Sequence, residues 1–401
     1  MNTGIVKSKA SGLALMGKVL VGVMVLGMVP QGARAATSNV QFEEYITYIC
    51  AVLYGAGAPT QEIADMCSLT STGFAGPAAT ASVNLGTANA GSSVVSRKKK
   101  GVGLPLDEQK DQPEKGASAD GGGWGFLVTP LYGKGERPET DLENGYKSDL
   151  TGLNIGLDYR FSDSFLLGGI IGHIRDKADF LNSAGSLKTS NITFTLYGTW
   201  LPSESSAVDG YLGYGKLNFD SQRKVVWGTS ISGTTSGTTT GNQLMGGISA
   251  SYQKDIGRFN LSPFINLDYI KTSFKGYNET GTTTLEMHYG DRSTTSFTSS
   301  LGVRVGASYG YEWGTFVPSA RLATVREFQN NTQQISNELV ITPGVNFSVA
   351  TDAPDRNYLN IGFGVSAALD SGTQLFLDYE KRTQDKLLNS WAVSLGALME
   401  F

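Results

Sequence analysis

From Trp124 to Phe401 the chain alternates apolar residues with small or polar ones, segment after segment. Leu153, Ile155, Leu157, Tyr159 and Phe161 alternate with Asn154, Gly156, Asp158 and Arg160, and Ile192, Phe194, Leu196, Gly198 and Trp200 with Thr193, Thr195, Tyr197 and Thr199. Leu359 to Leu369 and Trp391 to Phe401 repeat the pattern. A period of two is the mark of a β-strand, whose successive side chains point to opposite faces. Twelve such segments can be counted: 124–133, 150–161, 165–176, 187–201, 207–219, 241–255, 259–275, 293–311, 314–328, 358–369, 374–382 and 390–401. Many reach the roughly 9–11 residues of a tilted membrane-crossing strand, and their number is even, as in single-chain outer-membrane barrels.

The connections sharpen this. Short ones follow the even-numbered segments: Ser162-Asp163-Ser164, Pro202 to Ser206, Ile256-Gly257-Arg258, Glu312-Trp313 and Asp370 to Thr373. The others are mostly long: 134–149, 177–186, 220–240, 276–292, 329–357 and the shorter 383–389. Tight turns on one rim and long loops on the other belong to outer-membrane barrels, and they put both barrel ends on the periplasmic side. Trp124, Trp200, Trp313 and Trp391 fall at strand ends, where interfacial aromatic girdles sit. A soluble β-sandwich would hide its apolar parity inside and use strands of about 5–6 residues. Here the other parity is Gly, Ser, Asn, Asp and Thr, a poor core and a good wet lumen. Pro130, Pro263 and Pro318 count against strands, because proline removes a ladder donor.

Upstream, Lys7, Lys9 and Lys18 precede an apolar run from Val19 to Val29, then Pro30 and Ala33-Arg34-Ala35. A basic region, a short apolar run and a small-residue site read as a secretory signal over residues 1–35, cleaved between Ala35 and Ala36. A membrane anchor is the alternative, but the run falls short of the roughly 20 residues a spanning helix needs. Residues 36–70 look helical: Ser38 and Gln41 fit a capping box, and Phe42, Tyr45, Ile46, Ile49, Val52 and Leu53 recur at helical spacing. Cys50 and Cys67 sit one on each of two short helices, and in an exported chain the default is a disulfide, stabilising by about 3 kcal/mol; two unpaired thiols are the other reading. Residues 71–123 are rich in Ala, Ser, Gly and Thr and read as a linker. Arg97, Lys98, Lys99 and Lys100, followed by Asp107 and Glu108, make that linker either a lumen segment or a solvated tether.

Composition excludes other classes. With 32 basic and 36 acidic residues and a formal net charge of −4, nothing pushes the chain toward nucleic acid. Two Cys and two His are too few and too scattered for common zinc spacings. Gly306-Ala307-Ser308-Tyr309-Gly310 matches the G-x-S-x-G hydrolase pattern, but that pattern needs a strand-to-helix elbow and Ser308 lies within a strand pattern. No catalytic residue, cofactor or metal is expected.

Residues 124–401 resemble the C-terminal translocator domain of autotransporters, the type V secretion pathway. The resemblance is carried in order by Gly156-Leu157-Asp158-Tyr159-Arg160-Phe161, Leu196-Tyr197-Gly198-Thr199, Gly210-Tyr211-Leu212-Gly213-Tyr214-Gly215, Leu301-Gly302 with Arg304, Arg326-Glu327-Phe328, Asp355-Arg356-Asn357-Tyr358 and Leu398-Met399-Glu400-Phe401. It implies an all-β fold: a twelve-stranded antiparallel transmembrane barrel in the bacterial outer membrane, preceded here by the small disulfide-linked helical segment and the flexible linker. It implies outer-membrane lipid, periplasmic chaperones and the barrel-assembly machinery as partners, a monomer, and no nucleic acid. Trp391, Val393, Leu395, Met399 and Phe401 would be the signal that machinery reads; a plain lipid anchor is the alternative for Phe401. The function expected is translocation or display of a short N-terminal region. A plugged passive pore and a surface adhesin acting through loops 220–240 and 329–357 are the rivals. Asp158, Arg160, Arg321 and Glu380 are expected on the lumen wall. The family's usual large passenger has no counterpart between Ala36 and Trp124, and with no Asn between Val94 and Gly123, self-cleavage within the lumen is not expected.

Overall fold

A computed structural model describes residues 45–46, 49–50, 71–74, 123–227 and 231–401. Twelve long strands carry the architecture: β1 (Gly123–Arg137), β2 (Tyr146–Ser162), β3 (Phe165–Phe180), β4 (Gly185–Ser203), β5 (Ser206–Trp227), β6 (Ile231–Tyr252), β7 (Phe259–Phe274), β8 (Arg292–Ala307), β9 (Gly314–Glu327), β10 (Asn357–Leu369), β11 (Thr373–Thr383) and β12 (Asn389–Glu400). Each pairs antiparallel with the next. β12 returns to β1 from Asn389↔Glu136 to Glu400↔Gly125, and Trp124 and Phe401 exchange backbone hydrogen bonds of 2.9 Å at the seam. Closure removes both edges of the membrane-crossing sheet, which lipid demands because it offers backbone groups no partners. Among the described residues no helix is long and apolar enough to cross a membrane; strands do the crossing.

The tight turns fall where the sequence puts them, at 163–164, 204–205, 257–258, 312–313 and 370–372. Gly257 and Gly372 take left-handed φ values of 60° and 80°, which glycine adopts without steric cost. Pro130 is accommodated by a gap: the β1–β12 ladder runs from Ser394↔Leu131 to Ala397↔Val128 with no pairing between.

At the other rim the structure departs from expectation. Residues 220–240 are largely not a loop, because β5 and β6 stay paired out to Trp227↔Ile231. Residues 276–292 and 329–357 contain the strands Tyr277–Asn278, Met287–Tyr289, Gln334–Leu339 and Asn346–Ala350, which form a second, four-stranded sheet, joined to β6 by the Ser236↔Thr280 bridge. Residues 71–74, read as linker, form a short strand against the outer end of β5. The helical reading of residues 36–70 and the Cys50–Cys67 pairing lie mostly outside the described residues; Tyr45, Ile46, Ile49 and Cys50 are helical in backbone where they are described.

The apolar parity inverts along the strands. On β2, Leu157, Ile155 and Leu153 face out and are exposed, and then Asp149 and Lys147 take the outward positions while Leu150 and Tyr146 turn inward and are buried. β3 switches between Ile171 and Arg175, β4 between Ile192 and Lys188, and β5 between Tyr214 and Lys216, beyond which Leu217, Phe219 and Val225 are buried on the inner side. Below the switch the outer neighbour is hydrocarbon; above it, water. Aromatic residues bracket the apolar zone. Trp124, Tyr159, Phe161 and Phe165 form a chain of ring contacts 4.9–5.9 Å apart at the inner rim, and Trp391 packs against Tyr132 and Tyr379 toward the outer one.

Candidate functional site: the bore and its outer mouth

The inward parity of the membrane-level wall is polar and internally bonded. The Tyr197 hydroxyl donates to Asp158 Oδ2 at 2.5 Å, and Tyr211 donates to Asp268 at 2.7 Å. Asp209 accepts from Thr199 at 2.9 Å and from Ser249 at 3.0 Å, and the Asn191 amide reaches Gln243, which donates in turn to Thr272. Arg321 pairs with Glu380 and lies 3.7 Å from Asp378. Arg304 stands over the Phe264 ring. The wall thus carries Asp158, Asp209, Asp268, Asp378 and Glu380 against Arg304 and Arg321, an excess of acid that favours a basic occupant. Glycine keeps the wall thin: a Cβ at Gly168 would sit 2.6 Å from the Tyr197 ring, and one at Gly247 would sit 2.5 Å from Tyr211.

At the outer mouth, Arg137 pairs with Glu143 and, at 2.6 Å, with Asp352, to which Thr140 also donates. Arg137, Glu143, Asp352, Glu327, Arg382 and Asp385 line a cavity of about 100 Å³. Burial pushes the Glu143 carboxyl up to about 7; Arg137 pulls it down and Asp352 adds to the rise.

Above the mouth, the outer sheet has an ordinary apolar core of Leu285, Met287, Tyr289, Leu339, Phe347 and Val349. A buried ion pair crosses it: Arg223 binds Glu279, whose carboxylate also accepts from the Met287 amide at 3.0 Å and the Tyr289 hydroxyl at 3.2 Å. Burial raises the Tyr289 phenol well above its ordinary value, and the Glu279 charge adds to this. Into the same core go Tyr45, Ile46 and Ile49 from the N-terminal region, with Ile49 1% exposed. The Tyr45 ring stacks on Phe347 at 4.4 Å; its hydroxyl donates to the Val345 carbonyl at 3.0 Å and accepts from the Leu339 amide at 3.3 Å. Cys50 packs beside this cluster.

Of the residues anticipated on the lumen wall, Asp158, Arg321 and Glu380 lie in the polar network, while Arg160 pairs with Glu400 at 3.3 Å at the inner rim. Leu395, Met399 and Phe401 are exposed, and Trp391 and Val393 share their outward parity. Arg97 to Lys100, Asp107, Glu108, Ala35, Ala36 and Cys67 lie outside the described residues. Ser308 is the one-residue break between β8 and the short strand Tyr309–Tyr311, its amide donating to the Arg258 carbonyl at 2.9 Å; it occupies no strand-to-helix elbow. Asp209 and Asp268 escaped the sequence reading, although their place on the small-residue parity marked them. The Arg223–Glu279 pair had no local signal, being 56 positions apart.

A family model described as the autotransporter beta-domain matches residues 126–380. Among solved structures the fold resembles the translocator domain of the autotransporter NalP from Neisseria meningitidis, with a TM-score of 0.58 and 14% identity, covering 81% of this chain and all of that one. It also resembles the β-domain of the Bordetella autotransporter BrkA, with a TM-score of 0.53 and 19% identity over 70% of this chain and all of that one. Curated relatives include Lipase 1 of Photorhabdus luminescens, 25% identical over 62% of this chain and 38% of that protein. Outer membrane protein A of Rickettsia rickettsii is 26% identical over 61% of this chain and 11% of that protein. The alignments thus cover well under half of these relatives.

Proposed function

The chain belongs to the autotransporter β-domain family, and from that premise we propose that its outer-membrane barrel carries its own N-terminal region across the membrane and holds it docked at the cell surface. One observation carries the proposal. Tyr45, Ile46 and Ile49 are buried in the sheet at the outer rim, whereas β1 begins at the inner rim, where Gly123 pairs with Arg160. One covalent chain joins these two levels, and in a closed barrel the bore is the polar route between them. The acidic excess of the bore wall suits the basic run Arg97, Lys98, Lys99 and Lys100, which we assign to the lumen. The barrel domain is not itself catalytic. We extend that to the whole chain and read it as a display device without enzyme activity, although lipase and esterase appear among the names of its distant relatives.

The remaining assignments follow this reading. The signal is removed between Ala35 and Ala36, Cys50 pairs with Cys67 in the exported segment, and Trp391, Val393, Leu395, Met399 and Phe401 present the outward stripe read by the barrel-assembly machinery. Periplasmic chaperones deliver the chain, and it works as a monomer. Adhesion through residues 220–240 and 329–357 is the weaker reading, because much of both stretches is spent on internal pairing.

The test is an epitope inserted after Ala36 and probed on intact cells. Antibody binding without permeabilisation supports display. Binding only after the outer membrane is opened overturns it and favours the plugged pore.

A further inference from the structure

The outer walls of β3 and β4 carry a group of cations just above the level at which the apolar parity inverts. Arg175, Lys177 and Lys188 all point outward and are exposed. Their height follows from strand geometry. Phe165 marks the inner edge of the apolar zone on β3, and Arg175 lies ten residues on; at about 3.4 Å per residue and a tilt of about 40° this is roughly 26 Å, against an apolar band about 25 Å tall. The cations therefore stand at headgroup level.

Their pairing is unfavourable in the protein alone. Lys177 and Lys188 are direct cross-strand partners, and like charges placed opposite each other destabilise a sheet. Neighbouring acids relieve this only in part. Asp179 binds Lys177 at 2.8 Å, and Asp149, opposite Lys177, is engaged by Lys134 at 3.2 Å. Asp220 stands opposite Lys188. A concavity of about 750 Å³ opens on this wall, lined by the cations Arg175, Lys177, Lys188 and Lys275 and by the acids Asp149, Asp176 and Asp220, so that cations outnumber acids by one.

We propose that this concavity is a binding site for the phosphorylated headgroup of an outer-leaflet lipid, whose phosphate spans Lys177 and Lys188 and receives the Arg175 guanidinium. The chain's acyl-facing residues Ile171, Ile192 and Phe194 lie directly below, so one molecule lays its tails on the apolar wall and its phosphate between the cations of the concavity. A free phosphate ion lacks the lower half of this contact.

The full-length chain in neutral detergent micelles is titrated with phosphatidic acid, with phosphatidylcholine and with inorganic phosphate. Phosphatidic acid binds selectively. The double substitution Lys177→Gln with Lys188→Gln weakens it by roughly 10- to 30-fold, as expected for two surface cations at a membrane, and Lys254→Gln at the inner rim leaves it unchanged. Lys188→Gln alone also raises the temperature of heat-modified migration in lipid-free micelles, because it dissolves the like-charge pair, while it lowers affinity for phosphatidic acid. Equal binding by the double variant, equal binding of phosphatidylcholine, or displacement of the lipid by stoichiometric inorganic phosphate overturns the proposal. So does a Lys188→Gln chain that loses stability and binding together.

Discussion

Leu212 and Leu217 are five residues apart on β5, yet the first is 61% exposed and the second fully buried. The same residue type on the same strand faces outward at one level and inward at the other. In the wall, the surroundings are as apolar as leucine and the bore is wet, so apolar residues go outside. In the outer sheet, water is outside and the ordinary sorting returns, with a core of Leu285, Met287, Leu339 and Val349 closed over Arg223 and Glu279. The solvent, not the strand, decides which parity is apolar.

The sharpest way to separate the two regions is Glu279→Ala. It leaves Arg223 buried without its partner, at a cost of about 3–5 kcal/mol, enough to open the outer sheet. Protease should then cut between residues 275 and 292 while the barrel keeps its heat-modifiable migration; parallel loss of both would mean that wall and outer sheet unfold as one unit. Next comes the leucine pair itself. Leu217→Ala should cost about 2–5 kcal/mol through transfer and cavity terms, and Leu212→Ala well under half of that, since lipid tails refill its place. Unfolding of both variants by urea in the same bilayer gives the ratio, and equal losses would erase the distinction.

A smaller effect concerns the mouth between the two regions. Glu143 is held near 7 in the folded chain, against an ordinary value of 4.5. Between these values the folded state keeps a proton that the unfolded chain releases, so stability falls as the pH rises through that window and is regained in mild acid. The change is of order 1–3 kcal/mol. Protection of the amides of residues 140–145, taken relative to the intrinsic exchange rate at each pH, should be greater at pH 5 than at pH 8, and Glu143→Gln should flatten that difference. Smallest is Tyr45→Phe, which removes the hydroxyl bonded to Val345 and Leu339 and keeps the ring on Phe347. A loss of about 1 kcal/mol should appear as greater accessibility of the docked segment to surface proteases.

The wall was legible residue by residue. Period-two alternation located all twelve strands to within a few positions at their inner ends, and Asp370 to Thr373 or Ile256-Gly257-Arg258 announced turns through local chemistry. The outer ends were misread because the inversion breaks a template that assumes one apolar parity per strand. Past Phe219, the run Asp220, Ser221, Gln222, Arg223 and Lys224 looks like loop, although Val225 still holds the inner parity of Leu217 and Phe219. The placement of Tyr45 and Ile49 was half visible: helical spacing put them in one apolar series, and nothing nearby said what would cover it.

Local pattern and turn chemistry, written into the chain from Trp124 onward, determined by themselves that this protein closes a lipid-facing barrel with a polar bore. These signals act between neighbours, and the even strand count with alternating turn lengths leaves few ways to close the sheet. Only the tertiary structure decided that residues 275–291 and 328–356 fold onto each other, that Arg223 finds Glu279, and that Tyr45, Ile46 and Ile49 lie in the same core at the outer rim. Those contacts join residues tens to hundreds of positions apart, and their energy comes from shape and burial that exist only once the barrel has brought them together.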